Sequence, residues 1–153
     1  HLVALSAVRY HRASNQDRKS EMSELPVEAA NPILCEAREM GGWLFCSGQI
    51  GLNPDGTVPA DPAAQFDAAF AALARVLEQH GCTMQDVADL TSFHVGYPAH
   101  MDLFMASRAK AMTGAPAAWT AIGVAALGYP GSLVEVKAIA RLPELRADLT
   151  TDD

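Results

Sequence analysis

The sequence has few cations and lacks long apolar runs, and each shortage excludes a class of protein. Its 11 Lys and Arg residues stand against 18 Asp and Glu residues, which gives a net charge of -7. Because the cations are scattered and the balance is acidic, the chain repels phosphate backbones, and no nucleic-acid partner is expected. No uninterrupted apolar run approaches the ~20 residues that cross a bilayer. We therefore expect a soluble protein with no membrane partner.

Cysteine and histidine form no pattern for a disulfide framework, a metal or a cofactor. The three cysteines, Cys35, Cys46 and Cys82, are an odd number without a Cys-x-x-Cys pair, which suits a reducing compartment and predicts a cytoplasmic protein. His94 and His100 have no partner at metal-ligand spacing. Neither a glycine-rich phosphate loop nor a dinucleotide fingerprint occurs. We predict no metal and no cofactor.

The length predicts a single domain over residues 1–153. A domain of this size buries roughly two-thirds of its unfolded surface and folds without staples. Within it, residues 1–31 are predicted as an N-terminal strand, Leu2–Tyr10, followed by a polar loop. Residues 32–142 form the predicted core, and residues 143–153 a tail.

Apolar segments separated by Gly and Pro predict the remaining strands. Ile33–Arg38 and Trp43–Ile50, around the Gly41-Gly42 turn, indicate a β-hairpin. With Leu2–Tyr10, this makes about six strands. The other three are predicted at Leu90–Val95, Pro116–Val124 and Leu133–Arg141.

Two helices are predicted. Asp61 can accept hydrogen bonds from free backbone N–H groups while Pro62 takes the first helical position, so a helix begins here and closes at Gly81. Its apolar face consists of Phe66, Phe70, Leu73 and Leu77. The second helix runs from about His100 to Met112. Its methionines, Met101, Met105 and Met112, are expected to pack it against the sheet.

The last predicted strand alternates between an apolar face and a face with Glu135, Lys137 and Arg141. A carboxylate in a sheet with little other charge indicates a functional group. We expect Trp119, Glu135 and Ile139 to share the sheet face opposite the helices. Two helices on one side cannot cover that face, so a second subunit is the expected cover.

Five elements in this order resemble a known family. They are Ser47-Gly48-Gln49-Ile50 with Asn53-Pro54, the helix that ends at Gly81, Asp86-Val87 before a strand, the Pro116 strand, and Val134-Glu135-Val136-Lys137-Ala138-Ile139-Ala140. Together they resemble the Rid family, also called YjgF-type and formerly endoribonuclease L-PSP. The resemblance covers roughly Pro32 to Arg141.

The resemblance implies an α/β (α+β) fold like that of the small chorismate mutases, with a mixed sheet and two helices on one face. It also implies a homotrimer that binds small molecules in clefts between subunits. The family's best-known activity is hydrolysis of reactive enamines and imines to 2-keto acids and ammonia. In such enzymes a clamp arginine holds the substrate carboxylate, and a glutamate with its water serves the attack on the imine carbon.

Two of the family's site residues carry over to this sequence. Glu135 matches the glutamate, and Ser47 matches the pocket serine. Alignment backward from Val124 and Leu127 places Trp119 at the clamp position, so the clamp arginine is missing.

Three further family positions have lost their polar groups. The pocket tyrosine corresponds to about Ile33, the pocket asparagine to Met105, and the pocket cysteine to Ala121. Lys137, two residues beyond Glu135 on the same strand face, can replace the cation or pair with Glu135 or a neighbouring subunit.

Several interpretations stay open. Glu135 is either catalytic or a structural carboxylate at a subunit interface, Ser47 either contacts ligand or only binds backbone, and Trp119 is either a ligand platform or an anchor. The lead function is an imine or enamine deaminase whose substrate is not a simple 2-imino acid. A non-catalytic, ligand-binding or chaperone-like trimer is the alternative. A ribonuclease is third, because the acidic balance opposes it.

Overall fold

The computed structural model describes residues 35–114 and 116–144. The predicted strand Leu2–Tyr10 and the site candidate Ile33 lie outside these residues. The α-helices are α1 (Pro62–Gln79) and α2 (Met101–Ala111), and a short 3₁₀ helix spans Met84–Asp86. The strands are β1 (Ala37–Met40), β2 (Trp43–Cys46), β3 (Val87–Val95), β4 (Ala118–Val124) and β5 (Val134–Arg141).

The strands form one mixed sheet in the order β1-β2-β5-β3-β4. β3 and β4 are parallel, whereas the other neighbouring pairs are antiparallel. The predicted hairpin is β1–β2, with Gly41 and Gly42 at positive φ angles of 58° and 80°. Such angles favour glycine, which explains the Gly-Gly turn. The predicted α+β architecture is confirmed, with five strands in the described part of the chain.

Helix α1 begins and ends at the predicted signals. The Asp61 side chain accepts a hydrogen bond from the Ala64 N–H at 3.2 Å, and Pro62 is the first helical residue. After the helix, Gly81 has a φ of 71°, and Cys82 donates its N–H back to the Leu77 carbonyl. The buried face of the helix includes Phe66, Ala69, Phe70, Leu73, Val76 and Leu77.

Phe104 joins helix α2 to the rest of the core. Its fully buried ring meets the Phe66 ring edge-on at 5.9 Å and the Phe70 ring at 5.5 Å. On the sheet side, it stacks on Trp119 with a centroid distance of 5.8 Å. One aromatic side chain therefore contacts both α1 and β4, which places both helices on the same face of the sheet, as predicted.

The methionines of the second helix do not all pack inward. Met101 and Met112 are partly buried against the core, as expected. Met105, however, is 42% exposed, so its predicted packing against the sheet is wrong. The inward stripe of α2 runs through Phe104 and Ser107 instead, and Met105 directly follows Phe104 on the adjacent, solvent-facing side.

Neither helix among the described residues combines the length and apolar character that a membrane span requires.

Candidate functional site

Strand β5 divides its side chains between the two faces of the sheet. Alternate residues are buried against the helices, and the others lie on the opposite side, which we call the outward face. The predicted alternation of β5 is confirmed. The helix side holds Val134, Val136, Ala138 and Ala140, and the outward face holds Glu135, Lys137, Ile139 and Arg141.

Gly48 lies directly against the Glu135 side chain. Gln49 exchanges two backbone hydrogen bonds with Val136, at N···O distances of 2.7 and 3.0 Å, and so ties the segment after β2 to β5. A Cβ atom added at Gly48 would overlap the Glu135 carboxylate. Only glycine leaves room for the acid here. The Glu135 side chain thus packs against the Ser-Gly-Gln segment, at Gly48.

Apolar side chains flank Glu135 across the outward face. Glu135 pairs with Phe93 on β3, and Phe93 pairs with Ile122 on β4. We call these three residues the acidic row. Ile122 is 39% exposed. Within residues 35–114 and 116–144, no cation lies within 4.0 Å of the Glu135 carboxylate, which leaves it available to water or a ligand.

A row of polar side chains lies beside the acidic row. Lys137 pairs with Thr91 on β3, and Thr91 pairs with Thr120 on β4. We call these three residues the polar row. In the described part of the chain, the ion pairs are Lys110–Asp67 at 3.2 Å and His80–Glu39 at 2.7 Å. Lys137 therefore makes no ion pair with Glu135, which was one of its expected roles.

Ser47 binds backbone next to Gly48. Its hydroxyl donates a hydrogen bond to the Cys35 carbonyl at 2.6 Å, and its N–H donates to the Glu36 carbonyl at 2.8 Å. These contacts fix the chain just before Gly48. The backbone-binding interpretation of Ser47 accounts for them, and contact of Ser47 with a ligand stays a prediction.

Trp119 lies on the helix side of the sheet, so the expectation that it shares a face with Glu135 and Ile139 is wrong. Its register partner on β3 is the buried Leu90, and its Nε1–H donates to the Ser92 hydroxyl at 2.9 Å. Side chains alternate along a strand, so a shift of one residue moves a side chain to the opposite face. The contacts with Phe104 and Ser92 support the anchor interpretation.

The outward neighbours of Trp119 on β4 are uncharged. Ala118 pairs with Asp89, and Thr120 pairs with Thr91, so both lie on the side of Glu135. Because neither side chain is a cation, the described part of β4 offers no guanidinium to the outward face.

Behind Trp119, the helix side carries a small buried polar group. Ser92, which is fully buried, also forms a 2.8 Å hydrogen bond with His94 Nε2. The guanidinium of Arg108 lies 4.9 Å from the centre of the Trp119 ring, a cation–π distance. Burial lowers the pKa of His94. This group ties α2 to β3 and β4 and does not reach the outward face.

The remaining candidates do not meet Glu135 within one chain. Ala121 pairs with Ser92 and so lies on the helix side, and Met105 is on the exposed side of α2. The structure brings together Glu135, Gly48 and the two rows, of which Phe93, Thr91, Thr120 and Ile122 were not predicted. The alternation along β3 is a sequence signal for Thr91 and Phe93, whereas Thr120 and Ile122 lie on β4.

Other side chains that could react or bind a ligand lie apart from Glu135. Burial, together with Cys82, raises the pKa of the Cys46 thiol to about 11, so Cys46 is not a reactive nucleophile. Among the described side chains, no three His, Cys, Asp or Glu residues are placed to hold a metal ion. A shallow depression of about 290 Å³ lies between the helices, lined in part by Phe70, Met84 and Lys110.

Comparison with known proteins identifies a matching family model and similar proteins. A family model described as Endoribonuclease L-PSP matches residues 27–142. The RutC family protein YjgH of Escherichia coli (strain K12) is 39% identical over 105 residues, which are 68% of this chain and 79% of YjgH.

Solved structures share the fold. An endoribonuclease L-PSP-type protein of Entamoeba histolytica matches with a TM-score of 0.68 and 30% identity, over 74% of this chain and 90% of its own. Protein YyfB of Yersinia pestis, described as a conserved Rid family protein of unknown function, matches with a TM-score of 0.61 and 36% identity. That match covers 67% of this chain and 80% of YyfB.

We predict that Gly48→Ala destabilises the protein by roughly 1–3 kcal/mol, because the added methyl group displaces the Glu135 carboxylate or shifts the backbone. Urea unfolding measures the change. The double variant Gly48→Ala/Glu135→Ala should recover most of the loss. Gly128→Ala is the matched control, since a Cβ atom there meets nothing within 4 Å. Equal losses at Gly48 and Gly128 would contradict the close contact.

We also predict a pH-dependent stability that originates at His94. Because burial lowers its pKa below the ordinary value of 6.5, the unfolded chain takes up this proton at higher pH than the native protein. The free energy of unfolding should therefore fall as pH drops below 6.5. His94→Gln should flatten the slope between pH 7 and pH 5 in urea titrations, whereas the control His100→Gln should not. An unchanged slope for His94→Gln would refute the prediction.

Proposed function

This chain belongs to the Rid/YjgF family, the family of the matching endoribonuclease L-PSP model, and from that premise we propose that it is an enamine or imine deaminase. The proposed enzyme is a homotrimer with its ligand cleft between subunits. It adds water across a C=N bond and releases ammonia. Its substrate differs from the simple 2-imino acids.

The observation that carries this proposal is the placement of Glu135. Its carboxylate lies against Gly48 on the outward face and has no cation within 4.0 Å among the described residues. A carboxylate that makes no ion pair can hold a water molecule and accept its proton. Among the described residues, no ion pair gives Glu135 a structural role within its own chain.

The proposed reaction uses Glu135 as a proton carrier. The imine nitrogen first takes a proton from solvent. As the oxygen of water then bonds to the carbon, the π electrons of the C=N bond move to nitrogen and Glu135 accepts a water proton, which gives a carbinolamine. The carboxyl group then delivers its proton to the amine nitrogen. The C–N bond breaks, ammonia leaves, and the hydroxyl becomes the carbonyl group with loss of its proton. An enamine first tautomerises to the imine.

The uncharged outward residues of β4 support a different substrate from that of clamp-bearing relatives. A guanidinium holds a carboxylate through two parallel hydrogen bonds, each worth roughly 1.5–3 kcal/mol. Ala118 and Thr120 cannot make this contact. A 2-imino acid whose carboxylate depended on such a contact would bind weakly here.

Exposed apolar side chains on the outward face support the proposed trimer. Met40 is 54% exposed and Phe45 is 44% exposed. Phe45 is the register partner of Ile139 and thus adjoins the row of Lys137. Exposed apolar side chains of this kind favour contact with another protein surface. A second copy of the chain is the proposed cover.

The same surface favours a second candidate function, which is ligand binding without turnover. In that case the cleft would hold a small apolar molecule, and Glu135 would act only as a polar contact. The ribonuclease activity in the family's older name is less well supported, because a net charge of -7 repels RNA.

Substitution of the acid separates the two functions. Imines without an adjacent carboxylate can be generated in situ by an amine oxidase and trapped with semicarbazide, so that the loss of trapped product measures hydrolysis. With an active imine, Glu135→Gln should lower turnover roughly 10²–10⁴-fold, because the amide cannot accept the water proton. Its trimer should persist in light scattering.

Asp89→Asn is the matched control, because Asp89 is a carboxylate on the same face in a different row. It should retain most of the activity. Unchanged turnover in Glu135→Gln would rule out the proton-carrier role. Absence of turnover with every imine tested, combined with ligand binding that survives Glu135→Gln, would favour the binding function.

Assembly is tested at Phe45. Phe45→Glu should convert the trimer to monomers in size-exclusion chromatography with light scattering, since each unpaired buried carboxylate costs about 2 kcal/mol or more. Leu103→Glu is the matched control, because Leu103 is 41% exposed on α2, on the other side of the sheet. Circular dichroism should show both variants folded. A trimer that survives Phe45→Glu would place the interface elsewhere.

A further inference from the structure

The polar row combines one cation with two hydroxyl groups. Lys137 and Thr120 are exposed, and Thr91 is partly buried between them on β3. Their register places the three side chains side by side across β5, β3 and β4. An ammonium and two hydroxyls supply five potential hydrogen-bond donors. This set matches the oxygens of a carboxylate.

The charges around Lys137 leave its ammonium available. Asp89, which pairs with Ile139, lies in the row on one side, and Glu135 lies in the row on the other. Neither carboxylate lies within 4.0 Å of the ammonium in the structure, where the described ion pairs are elsewhere. Lys137 is thus a charged donor whose acceptor is still to be supplied.

The acidic row and the polar row are neighbours at a fixed separation. Glu135 and Lys137 are two residues apart on β5, so their Cα atoms are separated by roughly 6.6 Å, twice the rise per residue of a strand. The carboxylate carbon of a 2-imino acid is bonded directly to the imine carbon, at about 1.5 Å. An imino acid with a greater distance between its carboxylate and its imine carbon fits the separation of the rows better.

We propose that the polar row, Lys137, Thr91 and Thr120, binds the carboxylate of an imino acid whose imine carbon lies two or more methylene groups away, beside Glu135. This inference rests on the proposed deaminase function and names its substrate class. Lys137 replaces the clamp cation from a different strand, which shifts the carboxylate along the sheet. The apolar residues Phe93 and Ile122 then contact the hydrocarbon part of the substrate.

Three stable five-carbon ketones test this proposal by binding alone. In 4-oxopentanoate two methylene groups separate the carboxylate from the ketone, in 2-oxopentanoate the two groups are adjacent, and pentan-2-one has no charge. Titration of the full chain, followed by amide NMR shifts or calorimetry, gives each dissociation constant. We expect 4-oxopentanoate to bind at least about tenfold more tightly than the other two, equivalent to about 1.4 kcal/mol.

Substitutions then assign the site. Lys137→Met should weaken the binding of 4-oxopentanoate at least tenfold and leave the dissociation constant of pentan-2-one unchanged. Thr120→Val should weaken the binding of 4-oxopentanoate by a smaller factor. Lys110→Met is the matched control, because Lys110 is an exposed lysine on α2, paired with Asp67. Light scattering verifies that each variant keeps its assembly.

The outcomes separate this inference from the proposed function. Equal binding of the three ketones, tighter binding of 2-oxopentanoate, or no effect of Lys137→Met would overturn it. Loss of the trimer in Lys137→Met would also overturn it, because the lysine would then pair between subunits. If Lys137→Met weakens the binding of 4-oxopentanoate while Glu135→Gln leaves imine turnover unchanged, the proposed carboxylate site is supported and the proposed proton-carrier role of Glu135 is refuted.

Discussion

The contact between Gly48 and Glu135 is the point at which two segments far apart in the chain constrain each other. Backbone hydrogen bonds between Gln49 and Val136 draw the segment after β2 onto β5, and the missing side chain of Gly48 admits the acid. Neither feature works alone. Without the pairing, the Glu135 carboxylate would not pack against the segment after β2. With any larger residue at position 48, that side chain and the carboxylate would overlap unless the backbone pairing shifted.

The two faces of the sheet have different roles, stability on the helix side and chemistry on the outward face. The helix side is closed by Phe104, Trp119 and the buried Ser92–His94 pair, so changes there are felt as lost stability. The outward face contributes little to the core of the described unit, and its side chains can change while the fold persists. Divergence in chemistry is therefore expected on the outward rows.

The contrast between β5 and β4 shows how far the sequence could be interpreted. In β5, small or branched apolar residues alternate with a second set that is charged at three of its four positions, so the faces follow from the period of two. Strand β4, Ala-Trp-Thr-Ala-Ile-Gly-Val, has no such contrast, and a large aromatic residue fits either face. Its orientation is fixed by pairing with β3, a long-range contact that local sequence does not contain, so the sequence alone does not determine which face Trp119 takes.

Long-range pairing also explains why the rows were missed although the acid was found. Glu135 is conspicuous on its own strand, whereas Thr91, Phe93, Thr120 and Ile122 acquire meaning only when three strands are in register. Once they are aligned, the neighbours of Glu135 in its row are apolar and the neighbours of Lys137 in its row are polar. A ligand lying across the sheet would stay within one row, and a ligand lying along β5 would meet the carboxylate and then the ammonium. The latter orientation is the one in which Lys137 and Glu135 can act on two ends of the same molecule.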